Sequence, residues 1–295
     1  NYTHGEEYSQ AVLNHQTYTS TTIPYMRGNI TASDGTVLAY SEKVYNLILD
    51  VKSVTSEDGK YLDSTINALV KCFGLDKDNV KKIINDNPTS QYQKLLKELT
   101  SNEIAEFNEL KSDKSNNING VWFEESYKRG YPYGSLACDV IGFTTSDGIG
   151  MYGLEEYYND LLSGTNGREF GYLNDDSSLE RTTKPAQDGY TIVSTIDANI
   201  QSIVEEKLNN FWVEYKDNYK EGQAANNIGC IVMDVNSGEV LAMASAPTFD
   251  LNSPYDLSAY YDEDQIALMK ENDTYFETLN SIWRNFCITD TYEPG

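Results

Sequence analysis

The sequence lacks any long apolar run, although it has 295 residues and 39% of its side chains are hydrophobic. No stretch approaches the roughly 18 to 20 consecutive apolar residues that a membrane-spanning helix needs. The first ten residues, NYTHGEEYSQ, have neither the basic flank nor the apolar core of a signal peptide. These residues therefore predict neither a membrane span nor a leader.

Positive charge is also scarce. The chain has 22 lysines and arginines against 46 aspartates and glutamates, which gives a formal net charge of −24. Such a balance opposes binding to nucleic acid or to anionic lipid, because the phosphates would be repelled. The charge therefore predicts no nucleic-acid partner and favours a transport or scaffold role outside the membrane.

Cysteine and histidine are few and widely separated, and no C-x-x-C pair occurs. The residues are Cys72, Cys138, Cys230, Cys287, His4 and His15. In a chain this long they predict neither a disulfide framework nor a zinc site, so we expect no metal and no cofactor. Cys230 lies in an apolar strand pattern and is expected to be a small buried hydrophobic residue.

Known catalytic motifs are absent as well. The chain contains no Ser-x-x-Lys, no Lys-Thr-Gly or Lys-Ser-Gly, no Gly-x-Ser-x-Gly and no glycine-rich phosphate loop with a lysine. The residues alone therefore indicate no nucleophile with its activating base.

What the chain does contain is enough apolar and aromatic material for folded cores. Aromatic residues make up 12% of the sequence and include 23 tyrosines. This composition argues against a disordered chain, and the length leaves room for about two domains.

The first half predicts a β-rich region with a helical insertion. Asp34-Gly35 lies between β-prone flanks and indicates a hairpin, and Tyr45–Val51 is predicted to be the next strand. From residue 63 to residue 110 apolar residues recur at helical spacing, and a capping-box sequence begins at Thr100. We therefore expect short helices in a head subdomain at about residues 57–118.

Three glycine-bearing motifs, the first two of which also carry an arginine, follow one another before residue 165. They are RGNITASDGTVLA (Arg27–Ala39), KRGYP (Lys128–Pro132) with the apolar run LACDVIGF after it, and GIGMYGLEEYYNDLLSG (Gly148–Gly164). The last motif is predicted to bend at its glycines and to continue as a short helix. One face of that helix is expected to hold Leu154, Tyr157, Tyr158 and Leu161.

The last third predicts a helix followed by a hairpin. Asp197 is suited to cap a helix whose apolar residues recur at steps of three and four. That stripe is expected to face a core and consists of Ile200, Ile203, Val204, Leu208, Phe211, Trp212 and Tyr215. Asn236-Ser237-Gly238 then joins two predicted strands, which are apolar enough for a sheet covered on both faces.

Taken in order, these motifs resemble the class B penicillin-binding proteins over residues 17–295. Ile228–Asn252 and Asn285–Gly295 are similar to the start of the transpeptidase domain in that family. The resemblance implies an α+β chain, in which the apolar run LACDVIGF corresponds to a strand. An elongated β-rich pedestal, or dimerisation, domain at residues 1–190 would carry the helical head. An incomplete α/β transpeptidase domain at residues 191–295 would hold a helix and a β-hairpin of its central sheet.

The resemblance also implies a structural junction. Arg27, Arg129 and Glu155 are candidates for a partly buried ionic cluster, with three unrelated surface charges as the alternative. Ala32 and Ser33 replace the Asp-Arg of the first family motif, so any ion pair of those two residues is absent. The remaining motif positions are Gly28, Pro132, Gly150 and Gly153 in the junction, and Asp197 and Gln201 at the start of the second domain.

The function that the resemblance implies is D,D-transpeptidation by a longer parent protein. The nucleophilic serine of the Ser-x-x-Lys motif is expected immediately after Gly295, so this chain would be a non-catalytic portion. Implied partners are peptidoglycan stem peptides and β-lactams, through the missing catalytic part, and a glycan polymerase; a homodimer is worth testing. The implied location is the extracytoplasmic face of a bacterial membrane, with an anchoring helix upstream of Asn1.

Two alternatives stay open. The chain can be a docking module of the cell-wall synthesis complex, which fits the missing nucleophile. It can also belong to a β-lactam-resistant or sensor relative. Resistant relatives carry an extra domain before the first motif, and the 26 residues before Arg27 disfavour this option unless the N-terminus is cut; sensors lack the pedestal.

Overall fold

The computed structural model describes residues 19–173, 179–215 and 228–291. Asn1 and the Tyr292–Gly295 end of the last motif lie outside the described residues. Within those ranges, no helix is both long enough and apolar enough to cross a membrane.

Strands and short helices alternate along the chain. The strands are β1 Thr19–Ile23, β2 Ile30–Thr31, β3 Val37–Leu49, β4 Gln93–Leu99, β5 Val121–Gly130, β6 Phe143–Thr144, β7 Gly150–Met151, β8 Gly167–Leu173, β9 Leu179–Lys184, β10 Ile192–Val193, β11 Ile228–Met233 and β12 Val240–Ala246. The helices are α1 Val51–Val54, α2 Ser56–Gly59, α3 Leu62–Phe73, α4 Lys77–Asp86, α5 Ser101–Ser112, α6 Cys138–Ile141, α7 Gly153–Tyr157, α8 Asn159–Leu162, α9 Ala198–Tyr215, α10 Glu263–Glu271, α11 Tyr275–Trp283 and α12 Phe286–Thr289, with a 3-10 turn at Lys114–Asn116.

The chain divides into two compact units that alternate along the sequence. The first unit comprises the described parts of Asn1–Pro24, Glu42–Lys128 and Asn166–Ala186, and the second comprises those of Tyr25–Ser41, Arg129–Thr165 and Gln187–Gly295. This division follows contacts, whereas the domain boundary predicted at residue 190 follows motifs. That boundary stays a prediction.

The first unit contains two sheets and the helical head. β1, β8 and β9 form an antiparallel three-stranded sheet, while β3 pairs with β4 on one side and with β5 on the other. Helices α3, α4 and α5 turn apolar residues inward, as their spacing predicts. The buried cluster is Leu47, Leu49, Val51, Val54, Ile66, Ala68, Leu69, Val80, Ile84, Phe107 and Val121.

Local signals set the ends of the head helices. The Thr100 hydroxyl accepts a hydrogen bond from the Glu103 N–H, and the Glu103 carboxylate accepts one from the Thr100 N–H, so the predicted capping box is confirmed. Helix α3 ends at Gly74, whose φ of 64° is the left-handed conformation that favours glycine.

The second unit begins with the predicted hairpin. β2 and β3 pair antiparallel around Gly35, and β10 adds parallel to β2. β6 and β7 form a second small pair, and β11 and β12 a third. The core cluster of this unit is Ile30, Ala32, Leu38, Ala39, Tyr131, Ala137, Cys138, Ile141, Phe143, Leu162, Phe249, Leu251, Leu257, Leu279 and Trp283. The hairpin and the α+β class predicted from the sequence are confirmed.

The apolar run LACDVIGF is not the strand that the resemblance implies. Cys138–Ile141 is helix α6, bounded by Ala137 and Gly142 in the left-handed region with φ of 55° and 72°. A short apolar run fits a buried helix as well as a strand, so its pattern alone could not decide between them.

The predicted face of the third motif is also wrong in part. Tyr157 is 81% exposed and Leu161 is 47% exposed, whereas Leu162 is fully buried. The helix is interrupted at Tyr158, between α7 and α8, and the interruption shifts which residues face the core.

The apolar stripe of α9 and the hairpin after it are less covered than predicted. Ile203 and Phe211 are 58% and 50% exposed, and Ile231 and Met233 of β11 are 46% and 53% exposed. Cys230 is half-buried rather than buried. Helix α9 lies against β12, so its cover reaches the alanine-rich strand rather than both faces of the hairpin.

Candidate functional site

Arg27 lies in the loop before β2, within the second unit, and is 5% exposed. Its Nε donates to Glu155 Oε2 at 2.8 Å, and its Nη2 donates to the Glu155 carbonyl at 2.9 Å. Its Nη1 donates to Ser163 Oγ at 2.8 Å and to Asn159 Oδ1 at 3.0 Å. The guanidinium therefore joins the segment before β2 to helices α7 and α8.

Arg129, near the end of β5, approaches the same carboxylate from another direction. Its Nε donates to Glu155 Oε1 at 2.7 Å, and its Nη1 donates to the Gly28 carbonyl at 2.8 Å. Its side chain is 6% exposed. Its buried Nη2 has no hydrogen-bond partner among the described residues. The two arginines thus share one carboxylate, with one oxygen for each.

Glu155 is fully buried on α7. The Tyr131 hydroxyl donates to its Oε1 at 3.3 Å, and burial together with this negative charge raises the pKa of Tyr131. Since two buried cations face one anion, removing Glu155 would leave both guanidinium groups without a counter-ion. The sequence named the three charges, and the structure brings them together.

Glycines let the backbone pass close to the junction. A Cβ at Gly150 would lie 1.9 Å from the Glu155 carbonyl oxygen, and one at Gly28 would lie 1.9 Å from that of Tyr190. Gly153 has a φ of 52°, and a Cβ there would lie 2.3 Å from the Val140 carbonyl oxygen. Side chains at these positions are excluded by backbone atoms, which cannot rotate away.

Pro132 is not part of the charged cluster. It is exposed and lies in a turn closed by a hydrogen bond from the Gly134 N–H to the Tyr131 carbonyl at 3.1 Å. Proline suits the second position of such a turn because its φ is already fixed. Its contribution is to the turn that follows the second motif.

Asp197 and Gln201 tie the start of α9 to β12. Asp197 Oδ1 accepts from the N–H groups of Asn199 and Ile200, and the Asp197 N–H donates to the Leu241 carbonyl at 2.8 Å. Fully buried Gln201 donates to the Met243 carbonyl at 2.9 Å and accepts from the Met243 N–H at 2.9 Å. Both residues act through the backbone of the strand.

A second buried polar cluster was not predicted from the sequence. Asp139 on α6 accepts a hydrogen bond from Ser245 Oγ at 2.5 Å, and Asn285 donates to the Asp139 carbonyl at 3.2 Å. Burial raises the pKa of Asp139 to about 6 despite the Ser245 hydrogen bond. Nearby, Glu205 accepts from the Ala137 N–H at 2.6 Å, and burial raises its pKa also.

Sequence reasoning also missed the neutral members of the ionic junction. They are Ser41, Tyr131, Asn159 and Ser163, which accept from the arginines or donate to Glu155. The only indication of these four residues in the sequence is that they lie within or beside the motifs that carry the charges. In the described ranges no group of three or more His, Cys, Asp or Glu side chains could hold a metal ion.

The fold and this junction define a class of protein, a mixed α+β module in which three motif segments meet at one buried carboxylate. A family model described as the penicillin-binding protein dimerisation domain matches residues 22–194. The chain belongs to this family, as the motifs indicated.

Curated relatives are longer than this chain. Peptidoglycan D,D-transpeptidase FtsI of Escherichia coli (strain K12) is 28% identical over 275 residues, which cover 91% of this chain and 40% of the relative. Stage V sporulation protein D of Bacillus subtilis (strain 168) is 32% identical over 202 residues, covering 66% of this chain and 26% of the relative. The chain thus spans less than half the length of these relatives.

Solved structures share the fold. Penicillin-binding protein 2X from Streptococcus thermophilus matches with a TM-score of 0.61 and 24% identity, over 80% of this chain and 36% of that chain. PBP2 from Helicobacter pylori, solved in complex with MreC, matches with a TM-score of 0.57 and 19% identity, over 88% of this chain and 47% of that chain.

Proposed function

We propose that this chain is the extracytoplasmic, non-catalytic portion of a class B penicillin-binding protein that takes part in peptidoglycan cross-linking. A pedestal domain would occupy residues 1–190 and the beginning of a transpeptidase domain residues 191–295. The observation that carries the proposal is the Arg27–Glu155–Arg129 junction, whose members come from three separate motifs inside the matched region. The curated relatives named as transpeptidases support it.

The proposed reaction belongs to the longer protein. A serine Oγ attacks the carbonyl carbon of the penultimate D-alanine in a stem peptide, and the terminal D-alanine leaves as the amine. The resulting acyl-enzyme passes its acyl group to an amine of a neighbouring strand, and the serine is released. A nearby base must take the serine proton, and backbone N–H groups must stabilise the oxyanion. The residues described here would support that site structurally.

The proposed ligands of the longer protein are stem peptides and β-lactams. Both would acylate the serine that is expected immediately after Gly295. Intact-mass analysis with peptide mapping tests this on a chain that continues beyond Gly295, after incubation with a penicillin. The 295-residue chain and a variant with alanine in place of the expected serine are the controls. We expect one adduct, on the serine immediately after Gly295. A folded longer chain without an adduct would rule out the acyl-transfer function.

A docking role is the second candidate, because the Helicobacter pylori protein of the same fold was solved with a partner. The proposed partners are cell-wall synthesis proteins such as a glycan polymerase, and a second copy of this chain. Sedimentation velocity of this chain, alone and with a purified partner protein, tests both. A monomer that forms no complex at micromolar concentrations would contradict this role for the isolated chain.

A further inference from the structure

Asp139 is an unexpected residue for its position in the second unit. It is 6% exposed on α6 and forms no ion pair with any lysine or arginine in the described part of the chain. Its Oδ2 instead accepts from Ser245 Oγ at 2.5 Å. A buried carboxylate is costly unless it is hydrogen-bonded, so the contact with Ser245 holds α6 firmly to β12.

Asn285 connects the same place to the start of α12. Its Nδ2 donates to the Asp139 carbonyl at 3.2 Å and contacts Met243 Sδ at 3.2 Å. Its Oδ1 accepts from the Cys287 N–H at 3.0 Å, which caps the helix. One amide side chain therefore both starts α12 and attaches it to α6 and β12.

Helix α12 packs closely on the hairpin. Cys287 Sγ donates to the Ala244 carbonyl at 3.4 Å. A Cβ at Gly229 would lie 2.7 Å from that sulfur and 2.9 Å from Phe286 Cδ1. Glycine at this position of β11 leaves the space that the two side chains fill.

We infer that Asn285 is a positioning residue that fixes α12 on the hairpin, through the backbone carbonyl of Asp139, which the Ser245 hydrogen bond attaches to β12. The inference extends the proposed function, on which its catalytic part rests, because α12 lies only a few residues before the expected serine. Positions around a reacting atom must be held within a fraction of an ångström, and supporting hydrogen bonds provide this. Asp139 lies within the family-matched region, whereas Ser245 and Asn285 follow it.

Thiol labelling of the 295-residue chain tests the positioning directly. In Asn285→Ala we expect a thiol reagent such as maleimide to label Cys287 about tenfold faster, since α12 loses the hydrogen bonds of the Asn285 side chain. Peptide mapping identifies the labelled site. Cys72 in the first unit, which is half-buried, is the internal reference and should keep its rate.

Two further variants are controls for the labelling rate of Cys287. Ser281→Ala removes an exposed hydroxyl that bonds only to its own helix, so Cys287 should react as in the wild type. Asp139→Asn keeps an acceptor for Ser245 and the backbone carbonyl for Asn285, so Cys287 should also stay slow. An unchanged Cys287 rate in folded Asn285→Ala would overturn the inference.

Penicillin acylation of the longer chain separates this inference from the proposed function. We expect Asn285→Ala to lower the acylation rate constant about tenfold, with non-covalent affinity unchanged, as misplacement of the nucleophile predicts. A wild-type adduct with an equally fast variant would overturn the catalytic part while leaving the proposed function intact. A wild type without an adduct would reject the proposed function, and thiol labelling would still decide the positioning.

Discussion

The two units use the same kind of ion pair in opposite surroundings. In the first unit, Lys43 pairs with Glu125 and Lys71 with Glu106, and all four side chains are 44% to 62% exposed. In the second unit, Arg27 and Arg129 pair with Glu155, and the side chains are 0% to 6% exposed. Exposed pairs contribute little because water screens them, whereas breaking a buried pair leaves an uncompensated charge. The contribution of an ion pair to stability is therefore set by its burial rather than by the number of pairs.

The largest effect is expected at the centre of the ionic junction. Glu155→Gln keeps the shape of the side chain but leaves Arg27 and Arg129 buried without their anion, so the second unit should lose roughly 3–5 kcal/mol of stability. Denaturant titration with hydrogen exchange read on peptides of each unit measures the loss. Glu98→Gln, which removes the exposed partner of Lys128 in the first unit, is the matched control. Equal losses of stability in Glu155→Gln and Glu98→Gln would show that burial does not make the ion pairs of the second unit more important.

A smaller effect, which depends on pH, is expected at Asp139. Its folded pKa of about 6 lies above the usual aspartate value of 3.8, so the folded state holds this proton more tightly. The stability from this group is therefore present below about pH 4 and is lost as pH rises to 6. Asp139→Asn should gain stability relative to the wild type by roughly 3 kcal/mol between pH 4 and pH 7.

Urea titrations of both proteins across that pH range measure the difference for the second unit. Glu205 remains in both proteins, but the Asp139 charge raises the pKa of Glu205, so Glu205 contributes part of the difference. Peptides of the first unit should show no change between wild type and variant. A difference that does not vary with pH would mean that burial does not raise the pKa of Asp139.

A still smaller effect on stability is expected at the start of helix α5 in the first unit. Thr100→Ala removes the hydroxyl that accepts from the Glu103 N–H and should cost about 1 kcal/mol of stability. Thr274 precedes α11 in the second unit but makes no side-chain cap hydrogen bond, so Thr274→Ala is the matched comparison. Thermal unfolding should separate the two variants, and equal shifts would refute the capping contribution.

The smallest effect is expected for an exposed pair. A double-mutant cycle on Lys43 and Glu125, which lie 2.6 Å apart, should give a coupling energy of roughly 0.2–1 kcal/mol. The coupling should fall as salt is added, because solvent ions screen exposed charges. A coupling energy as large as the stability lost in Glu155→Gln would contradict the difference between exposed and buried ion pairs.

The sequence predicted the charged members of the junction because each belongs to a motif with its own glycine. Arg27, Arg129 and Glu155 could be named without knowing their contacts. The neutral members could not, since Tyr131 and Ser163 look like ordinary surface residues until the chain is folded. Asp139 stood within an apolar run, and one polar residue in such a run can signal a buried hydrogen-bond partner.

The spacing of apolar residues did not predict how much of a helix face is buried. The stripe of α9 was found correctly as apolar, yet Ile203 and Phe211 are half exposed. Spacing shows which residues share a face, but the neighbouring elements decide whether that face is buried. The interruption at Tyr158 had no local signal such as proline, so the shift to Leu162 could not be predicted.

The hydrogen bonds from the start of α9 to β12 have a consequence for association. An edge strand offers free N–H and C=O groups on which another chain can build a strand. Here Asp197 and Gln201 form hydrogen bonds with backbone groups of Leu241 and Met243, and Thr195 donates to the Val240 carbonyl. A foreign strand would have to displace the helix before pairing with β12. The residues that begin the second predicted domain thereby protect this edge from aggregation.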